Sequence, residues 1–287
     1  MKIRTAVLPI LLLFAYGTLP ATVVVQQAGE TVKIGVSISG RGQKPVPDLK
    51  ATDFLVYEDE KPQQVVSVVR EDAPISLGLL VDDSGSMKEK RDAVIHALSE
   101  FLKGSNSQNE AFLVHFNNNP YVDQQMTSDL SLLYKELERS KPYGPSSVYD
   151  TLIASVDYLA RHGRNSRKVL LIVTDGEDNS SRSSLEILLQ SIQSHKDITI
   201  YAIGVPNRNG FSSHARSALE KITAPGGGSL YYAKNPDELD KACKAVATMI
   251  RDEYTLTYQS AEGKTKPDNR KLRVEIQGGK NLEVHVH

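Results

Sequence analysis

Residues 77–88 read Leu-Gly-Leu-Leu-Val-Asp-Asp-Ser-Gly-Ser-Met-Lys, an apolar run that stops at a cluster of oxygen-bearing side chains. If the chain is still extended where it leaves this strand, Asp82, Ser84 and Ser86 lie on one face, because alternate side chains of a strand point to the same side. Hard oxygen ligands that leave positions open for water or a partner's carboxylate suit Mg²⁺. The stretch therefore predicts a strand that ends at a divalent-cation site.

Two later segments complete a known pattern. Residues 143–150 read Tyr-Gly-Pro-Ser-Ser-Val-Tyr-Asp, and residues 173–176 read Val-Thr-Asp-Gly. Together with the D-x-S-x-S spacing of residues 82–86, and in this order along the chain, they resemble the metal-ion-dependent adhesion site of the von Willebrand factor A domain. That family usually has threonine at the position of Ser146, and its second aspartate corresponds to Asp175. Serine keeps the hydroxyl group but loses the stiffness of a β-branched side chain.

The resemblance implies a role for each of five residues. Ser84, Ser86 and Ser146 would contact the metal directly, whereas Asp82 and Asp175 would act partly through water. The expected ion is Mg²⁺, with Mn²⁺ or Ca²⁺ as alternatives. Two aspartates only just balance a divalent ion, so the site would still attract an anionic ligand. An acidic side chain of a partner is therefore expected to fill the open position.

Other residues around the motif have two interpretations. Asp83, Glu177 and Asp178 are candidates for a ligand-binding rim, where they would add negative potential, or they are solvated loop acids. Residues 86–89, Ser-Met-Lys-Glu, match a capping box, which would make the serine a helix start as well as a metal ligand. Asp175 with the glycine that follows is, taken alone, an ordinary turn. The three segments in order favour the metal site.

The composition does not indicate a partner, such as nucleic acid, that binds through the net charge of the chain. The chain has 287 residues, 40% of them hydrophobic and 24% charged, with a formal net charge of −1. It therefore has no basic field for nucleic acid, and no nucleic-acid partner is expected. Cys243 is the single cysteine, so an internal disulfide is excluded, and we interpret it as a small buried apolar residue.

The N-terminus has the pattern of an export signal. A short positive head, residues 1–4, precedes an apolar core at residues 5–15, and small residues follow around Gly17 and Ala21. The apolar stretch is shorter than the roughly 20 residues that span a bilayer, which favours a cleaved signal peptide over a retained anchor. We therefore expect a secreted or periplasmic protein with no transmembrane segment after cleavage.

Beyond residue 73 apolar runs alternate with helical stripes, which predicts a mainly parallel sheet covered on both faces. The predicted strands are residues 77–81, 111–116, 169–173, 198–205 and 230–233. The predicted helices carry apolar stripes at residues 93–102, 152–159, 185–192 and 239–250.

Segments of period-two alternation flank this unit on both sides. Neither flank can bury its apolar face alone, so we expect the two to pair. The flanking residues 53–65 and 252–259 resemble those of secreted bacterial von Willebrand factor A-related proteins. The predicted fold class is α/β: a doubly wound, mainly parallel sheet (von Willebrand factor A-like) inserted in a small β-sandwich built from the N- and C-terminal segments. The predicted divisions are a signal peptide at 1–21, sandwich segments at 22–72 and 253–287, and the von Willebrand factor A-like domain at 73–252.

Three functions remain open at this point. The first is a non-enzymatic adhesion module that binds a partner protein, or a carboxylate-bearing polymer, through the cation. The second is an enzyme with a strand-end serine as nucleophile, but the sequence has no G-x-S-x-G elbow and no S-x-x-K at Ser84 or Ser86. The third is an envelope scaffold in which the cation is purely structural. The sequence favours the first.

Overall fold

The computed structural model describes residues 30–40, 48–207, 210–225, 228–251, 253–260, 271–279 and 282–286. The predicted signal peptide at residues 1–21 lies outside them. In chain order the strands are β1 (Glu30–Gly40), β2 (Phe54–Glu58), β3 (Lys61–Glu71), β4 (Ile75–Asp82), β5 (Glu110–Phe116), β6 (Pro120–Thr127), β7 (Arg167–Thr174), β8 (Ile198–Gly204), β9 (Leu230–Tyr232), β10 (Glu253–Ser260), β11 (Leu272–Ile276) and β12 (Leu282–Val286).

The helices of the described residues are α1 (Arg91–Lys103), α2 (Ser131–Leu137), α3 (Val148–His162), α4 (Leu185–Ser194), α5 (Ser213–Thr223) and α6 (Pro236–Arg251). None of these helices is both long enough and apolar enough to cross a membrane. All six belong to the α/β unit between β4 and β9 or follow it directly; α1, α3, α4 and α6 contain the predicted apolar stripes, whereas α2 and α5 were not predicted.

The α/β unit is built on a six-stranded sheet with the order β6-β5-β4-β7-β8-β9. β4 pairs in parallel with β5 on one side and with β7 on the other, and β8 and β9 continue the parallel part. β6 is an antiparallel edge strand. The predicted doubly wound, mainly parallel sheet is therefore confirmed. The chain order reverses between β4 and β7, and ligands of open α/β sheets bind beyond the carboxyl ends of strands at such a point.

Helices cover both faces of this sheet. Every residue of β4, β5 and β8 is buried, which is typical of parallel strands with helices on either side. α1 and α6 cover one face, where Leu98 and Val246 belong to one apolar core. α3 and α5 cover the other face, where Leu152 and Leu219 belong to a second core. Cys243 is buried in the first core, in agreement with its interpretation as a small apolar residue.

The N- and C-terminal strands pair with each other in one antiparallel sheet. Its order is β11-β2-β3-β10-β1-β12, so strands from before and after the α/β unit alternate. One core contains residues of β1, β2, β10 and β11, and the end strands β11 and β12 lie next to each other, so the sheet is curled. The predicted pairing of the two flanks is therefore seen, but a sandwich of two sheets is not confirmed. A curled sheet buries its inner face without a second sheet.

The α/β unit contacts this antiparallel sheet where the chain enters the unit, between β3 and β4, and where it leaves it, at the end of α6. Arg251, the last residue of α6, forms an ion pair with Asp72 (Nε to Oδ2, 2.9 Å), which lies between β3 and β4. Arg251 Nη1 also donates to Gly104 O at 3.1 Å, just after α1. This junction lies at the amino ends of the parallel strands, opposite the edge where the predicted ligands lie.

Candidate metal centre

The last residue of β4, Asp82, is buried and accepts hydrogen bonds at both carboxylate oxygens. Its Oδ1 accepts from Ser84 N at 2.9 Å. Its Oδ2 accepts from Thr174 Oγ1 at 2.5 Å and from Ser146 Oγ at 3.2 Å. Three chain segments therefore meet at this carboxylate: the end of β4, the end of β7 and the loop before α3.

Parallel pairing of β4 and β7 brings these segments together. Val81 is paired with Val173, so the two strands end side by side and their following residues share one edge of the sheet. Asp175, the first residue after β7, therefore lies beside Asp82. This is the crevice at the reversal of strand order.

Asp175 carries an oxygen without a partner. The residue is 2% exposed, and its Oδ1 accepts from Glu177 N at 3.2 Å. Its Oδ2 is buried and has no hydrogen-bond partner among the described residues. Gly176 makes the turn at a φ of +77°, a conformation that favours glycine. Buried polar atoms are usually satisfied, so this oxygen is free to accept a ligand at the site.

The two serines that follow Asp82 lie side by side. Ser84 Oγ is 3.0 Å from Ser86 Oγ; Ser84 is buried, whereas Ser86 is exposed. The capping-box interpretation of residues 86–89 is wrong, because α1 begins at Arg91 with Lys90 as its N-cap residue. A short 3₁₀ turn over Gly85–Met87 instead leaves the hydroxyl of Ser86 beside that of Ser84.

The loop that carries Ser146 is held from two sides. On one side Gly85 N donates to Gly144 O at 2.9 Å, where Gly144 has a φ of +71°. On the other, Ser146 N donates to Asn179 Oδ1 at 2.8 Å, and Asn179 N donates to Ser146 O at 3.0 Å. These contacts fix the backbone of Ser146, and the hydrogen bond to Asp82 Oδ2 orients its hydroxyl.

The predicted rim acids have other contacts. Asp83 is buried; its Oδ1 accepts from Ser140 Oγ at 2.5 Å and its Oδ2 from Lys141 N at 2.7 Å, so it is turned away from the rim. Asp178 Oδ2 accepts from Tyr149 N at 2.8 Å and from Ser181 Oγ at 2.6 Å, which satisfies a free amide in the first turn of α3.

These contacts differ from the predicted rim role of Asp83 and Asp178. Both carboxylates connect neighbouring loops, and their hydrogen bonds leave little capacity for a ligand. Glu177 is partly exposed, and its backbone N–H supports Asp175. A rim role for Glu177 therefore stays a prediction.

Two buried carboxylates and one lysine interact electrostatically at this site. Burial raises the pKa of Asp82 to about 6, the nearby negative charge of Asp175 adds to this, and hydrogen bonds from Ser84 and Thr174 oppose it. Lys90 is a cation whose charge interacts with both Asp82 and Asp175. Its Nζ donates to Val205 O at 3.1 Å, and burial lowers its pKa, while the charges of Asp175 and Asp82 act in the opposite direction.

The arrangement fits a hard divalent cation. Three hydroxyls, those of Ser84, Ser86 and Ser146, lie with two carboxylates at one edge of the sheet, and one carboxylate oxygen lacks a partner. Among the described residues no group of three or more His, Cys, Asp and Glu side chains comes together, so the cluster consists of two carboxylates and three hydroxyls. Oxygen-only donor sets suit Mg²⁺, Mn²⁺ and Ca²⁺.

Sequence analysis missed one residue of this cluster. Thr174 lies between the apolar run of β7 and Asp175, where a β-branched residue is ordinary strand material. Its hydroxyl nevertheless donates to Asp82 and accepts from Gly176 N at 2.9 Å. A polar residue at the last position of an otherwise apolar strand was the available signal.

Solved structures share this fold at low sequence identity. A von Willebrand factor type A protein from Catenulispora acidiphila aligns with a TM-score of 0.55 and 12% identity, over 92% of this chain and 74% of that one. The vWF domain of a type V pili tip protein from Porphyromonas gingivalis aligns at 0.52 with 12% identity, over 62% and 95%. An aerotolerance-related membrane protein from Bacteroides fragilis NCTC 9343 aligns at 0.51 with 16% identity, over 61% and 98%. These likenesses concern the fold alone.

Sequence comparison places the α/β unit in the same group. An uncharacterised protein of Synechocystis sp. (strain ATCC 27184 / PCC 6803 / Kazusa) is 24% identical over 169 residues, which are 58% of this chain and 39% of that protein. The chain therefore covers less than half of the length of this curated relative. The von Willebrand factor type A domain matches residues 77–245, more than half of the 287 residues. The chain belongs to the von Willebrand factor type A domain family.

Proposed function

We propose that this chain is an exported protein-binding module with a divalent-cation site. Ser84, Ser86 and Ser146, together with Asp82 and Asp175, would hold Mg²⁺, or Mn²⁺ or Ca²⁺ in its place. The cation would supply positive charge at the mouth of the site, and a carboxylate of the partner would bind to it. The partner would be a protein or a carboxylate-bearing polymer.

The unpaired Oδ2 of Asp175 carries this proposal. A buried carboxylate oxygen without a hydrogen bond lowers stability by about 1–3 kcal/mol, and more when the group is charged. Protein groups within reach satisfy Asp82 but leave this oxygen free of partners in the described part of the chain. A cation at the hydroxyl cluster would satisfy it and would offset the repulsion between the two carboxylates.

Binding is better supported than catalysis. A serine nucleophile needs a base within hydrogen-bond reach, and in the described residues no histidine hydrogen-bonds with Ser84, Ser86 or Ser146. His115, on β5, pairs instead with Asp123 on β6 (Nδ1 to Oδ2, 2.9 Å). The hydroxyls of Ser84 and Ser146 face a carboxylate or another hydroxyl, which suits ligation of a cation.

The fold neighbours support a role in protein interaction at the cell envelope. One is a domain of a type V pili tip protein, and another is an aerotolerance-related membrane protein. We infer for this chain the same general class of function, in the periplasm or outside the cell. Export rests on the N-terminal pattern of residues 1–21.

Calorimetric titration of Mg²⁺ and Mn²⁺ into the metal-free protein tests the site. We expect one ion per chain for the wild type and at least about tenfold weaker binding for Asp175→Asn, which removes one negative charge with little change of shape. Asp157→Asn is the matched control, because Asp157 is half-exposed on α3 in an ion pair with Arg161. Its affinity should equal that of the wild type. Equal affinities for all three proteins would contradict the proposed site.

A chelator separates this function from the scaffold alternative. If the partner's carboxylate binds to the cation, EDTA should release the partner, and excess Mg²⁺ should restore binding. If the cation is purely structural, EDTA should lower the melting temperature but leave partner binding intact at temperatures where the protein stays folded. Partner binding that survives EDTA under those conditions would favour an envelope scaffold.

A further inference from the structure

β6 is an edge strand with a regular section next to the cation site. β5 is its one neighbour in the strand order of the α/β sheet. Near the site the pairing is regular, with Phe116, His115 and Val114 opposite Pro120, Tyr121 and Val122, whereas it shifts at Leu113 and Ala111. A regular edge strand is a template for another strand, and irregular pairing discourages such addition.

Part of the far half of β6 already has partners within the chain. Met126 N donates to Tyr158 OH of α3 at 3.1 Å, so that backbone donor is satisfied. Asp123 Oδ2 accepts from both His115 N, at 3.0 Å, and His115 Nδ1, at 2.9 Å. The Asp123 side chain therefore takes part in the pairing of β5 with β6. The section Pro120–Val122 is therefore the part of the edge that is left for a partner.

This section exposes apolar side chains. Tyr121 is 45% exposed and Val122 is 49% exposed, and Tyr143 of the loop before α3 is 56% exposed. The Tyr143 phenol lies close enough to that of Tyr121 to raise the pKa of Tyr121, so the edge strand and that loop are neighbours. The other exposed large apolar side chains of the described residues lie on β2, β3 and α4. Adjacent strand residues point to opposite faces of the sheet, so the exposed pair beside the cation site is Tyr121 with Tyr143, whereas Val122 lies on the other face. Exposed apolar side chains beside a ligand site indicate an interaction surface.

The tyrosine pair is continuous with the cation site. Tyr143 N donates to Asp83 O at 2.9 Å, directly beside the D-x-S-x-S turn. Asn117 O, in the turn between β5 and β6, accepts from both Ser147 N and Ser147 Oγ at 2.7 Å, next to Ser146. Both ends of the surface are therefore fixed by backbone contacts to residues adjacent to the predicted metal ligands.

The charges beyond Val122 favour a peptide over an acidic polymer. A depression of about 740 Å³ lies there, and its lining carries three basic and three acidic side chains. They are Arg91, Arg139 and Lys141, and Asp123, Glu136 and Glu138. The charges of this lining balance, so it offers a uniformly acidic polymer no net attraction, whereas it can pair with a peptide that carries charges of both signs.

We propose that an extended peptide segment of a partner protein adds as a strand along Pro120–Val122 of β6, packs apolar side chains against Tyr121 and Tyr143, and places one carboxylate at the cation site. This inference rests on the proposed function, because the carboxylate is the group that the cation attracts. Main-chain hydrogen bonds supply affinity in this mode, and side-chain pockets supply specificity.

A display library of random twelve-residue peptides, selected in Mg²⁺ and eluted with EDTA, provides the probe. The selected peptides should carry Asp or Glu, and their affinities are then measured with synthetic peptide by fluorescence anisotropy. We expect Tyr121→Ala and Tyr143→Ala each to weaken binding by about tenfold. Ile187→Ala is the matched control, since Ile187 is 51% exposed on α4. Its effect should stay below about twofold.

Methylation of peptide nitrogens tests the strand itself. Methyl groups on one set of alternate residues should abolish binding, and methyl groups on the other set should be tolerated, because alternate N–H groups of an added strand face the edge. The inference is overturned by methylation effects without alternation, by tyrosine variants that bind like the wild type, or by binding of a polyuronate but no peptide.

Failure of this inference is distinguishable from failure of the proposed function. If the wild type binds no cation in the calorimeter, the proposed function fails. If it binds Mg²⁺ but yields no Mg²⁺-dependent peptide, or yields peptides that ignore the two tyrosines, strand addition alone fails.

Discussion

Thr174 Oγ1 lies 2.5 Å from Asp82 Oδ2 and also accepts a hydrogen bond from Gly176 N at 2.9 Å. One hydroxyl therefore orients a predicted metal ligand and fixes the turn that carries Asp175. Thr174→Val keeps the shape but leaves a buried N–H without its acceptor. We expect a loss of about 1–3 kcal/mol in the free energy of unfolding, measured by urea denaturation, and weaker Mg²⁺ binding.

Thr151→Val is the control for this prediction. Thr151 is also fully buried, in α3, but its Oγ1 has no hydrogen-bond partner among the described residues. Replacing an unsatisfied hydroxyl with a methyl group should leave stability unchanged or raise it. If both variants lose the same stability, the Thr174 hydroxyl has no special role.

Asp82 should make the metal-free protein less stable as the pH rises. Burial and the charge of Asp175 raise its pKa in the folded state from 3.8 to about 6. The folded protein thus holds this proton more tightly than the unfolded chain does, so protonation favours folding. The advantage is complete below pH 4 and is lost between about pH 4 and pH 6, with a total of about 3 kcal/mol.

The measurement is the difference in unfolding free energy between the wild type and Asp82→Asn across this pH range. Carboxylates that do not interact with Asp82 titrate equally in both proteins, so the difference isolates Asp82 together with its interaction with Asp175. Without metal, the wild type should lose stability relative to the variant up to about pH 6. Saturating Mg²⁺ should reverse the slope, because the cation competes with the proton. Parallel curves without metal would contradict the raised pKa.

Lys90 should weaken cation binding. Its Nζ donates to Val205 O at 3.1 Å, and Val205 N donates to Thr174 O at 2.8 Å, so the ammonium group lies close to the end of β7. Its positive charge partly balances Asp82 and Asp175 when no metal is bound. Lys90→Met keeps the aliphatic stem and removes the charge, and Mg²⁺ affinity should rise by about tenfold, or about 1.4 kcal/mol.

Lys88→Met is the matched control for the removal of charge. Lys88 lies in the same segment but is exposed, where solvent screens its charge. Calorimetry should show a change below about twofold for this variant. Affinities of Lys90→Met and Lys88→Met that agree with each other would mean that burial of Lys90 does not matter for the site.

The fold could be predicted from the sequence for strands that are buried on both faces of the sheet. Residues 77–81, 169–173 and 198–205, which correspond to β4, β7 and β8, are largely apolar, so their strand character and parallel pairing could be predicted. β6, α2 and α5 were not predicted. β6 reads Pro-Tyr-Val-Asp-Gln-Gln-Met-Thr, and an edge strand that is largely exposed has no apolar alternation to detect. α2 has seven residues, too few for a clear helical period.

At the site, the spacing of the motifs was enough to predict which residues lie together around Asp82. It was not enough to predict the contacts of the neighbouring acids. Asp83 was assigned to the rim because it is an acid beside the motif. Its actual contacts, Ser140 Oγ and Lys141 N, lie 57 and 58 residues further along the chain. The sequence does not show which loop will present free donors to a given carboxylate. The same limit explains why Asp178, which supports the first turn of α3, was also assigned to the rim.

Arg167 should hold the end of α6 to the sheet. It is the first residue of β7, is buried, and donates through Nη1 to Ile250 O and through Nη2 to Met249 O, at 3.4 Å for the second contact. A cation at the last carbonyls of a helix satisfies free acceptors and complements the helix dipole. Arg167→Met should therefore lower the free energy of unfolding by about 1.5–3 kcal/mol.

The same change should act on α6 and not on the cation site. Amide hydrogen exchange in the last turn of α6 should become faster in Arg167→Met, because its carbonyls lose their donors. Mg²⁺ affinity should stay unchanged, since Arg167 lies at the amino end of β7 and Asp175 follows its carboxyl end. Lys168→Met is the control: it breaks the ion pair with the half-exposed Asp197, and its effect should stay below about 1 kcal/mol. Faster exchange in both variants would show general loosening of β7 rather than loss of an α6 anchor.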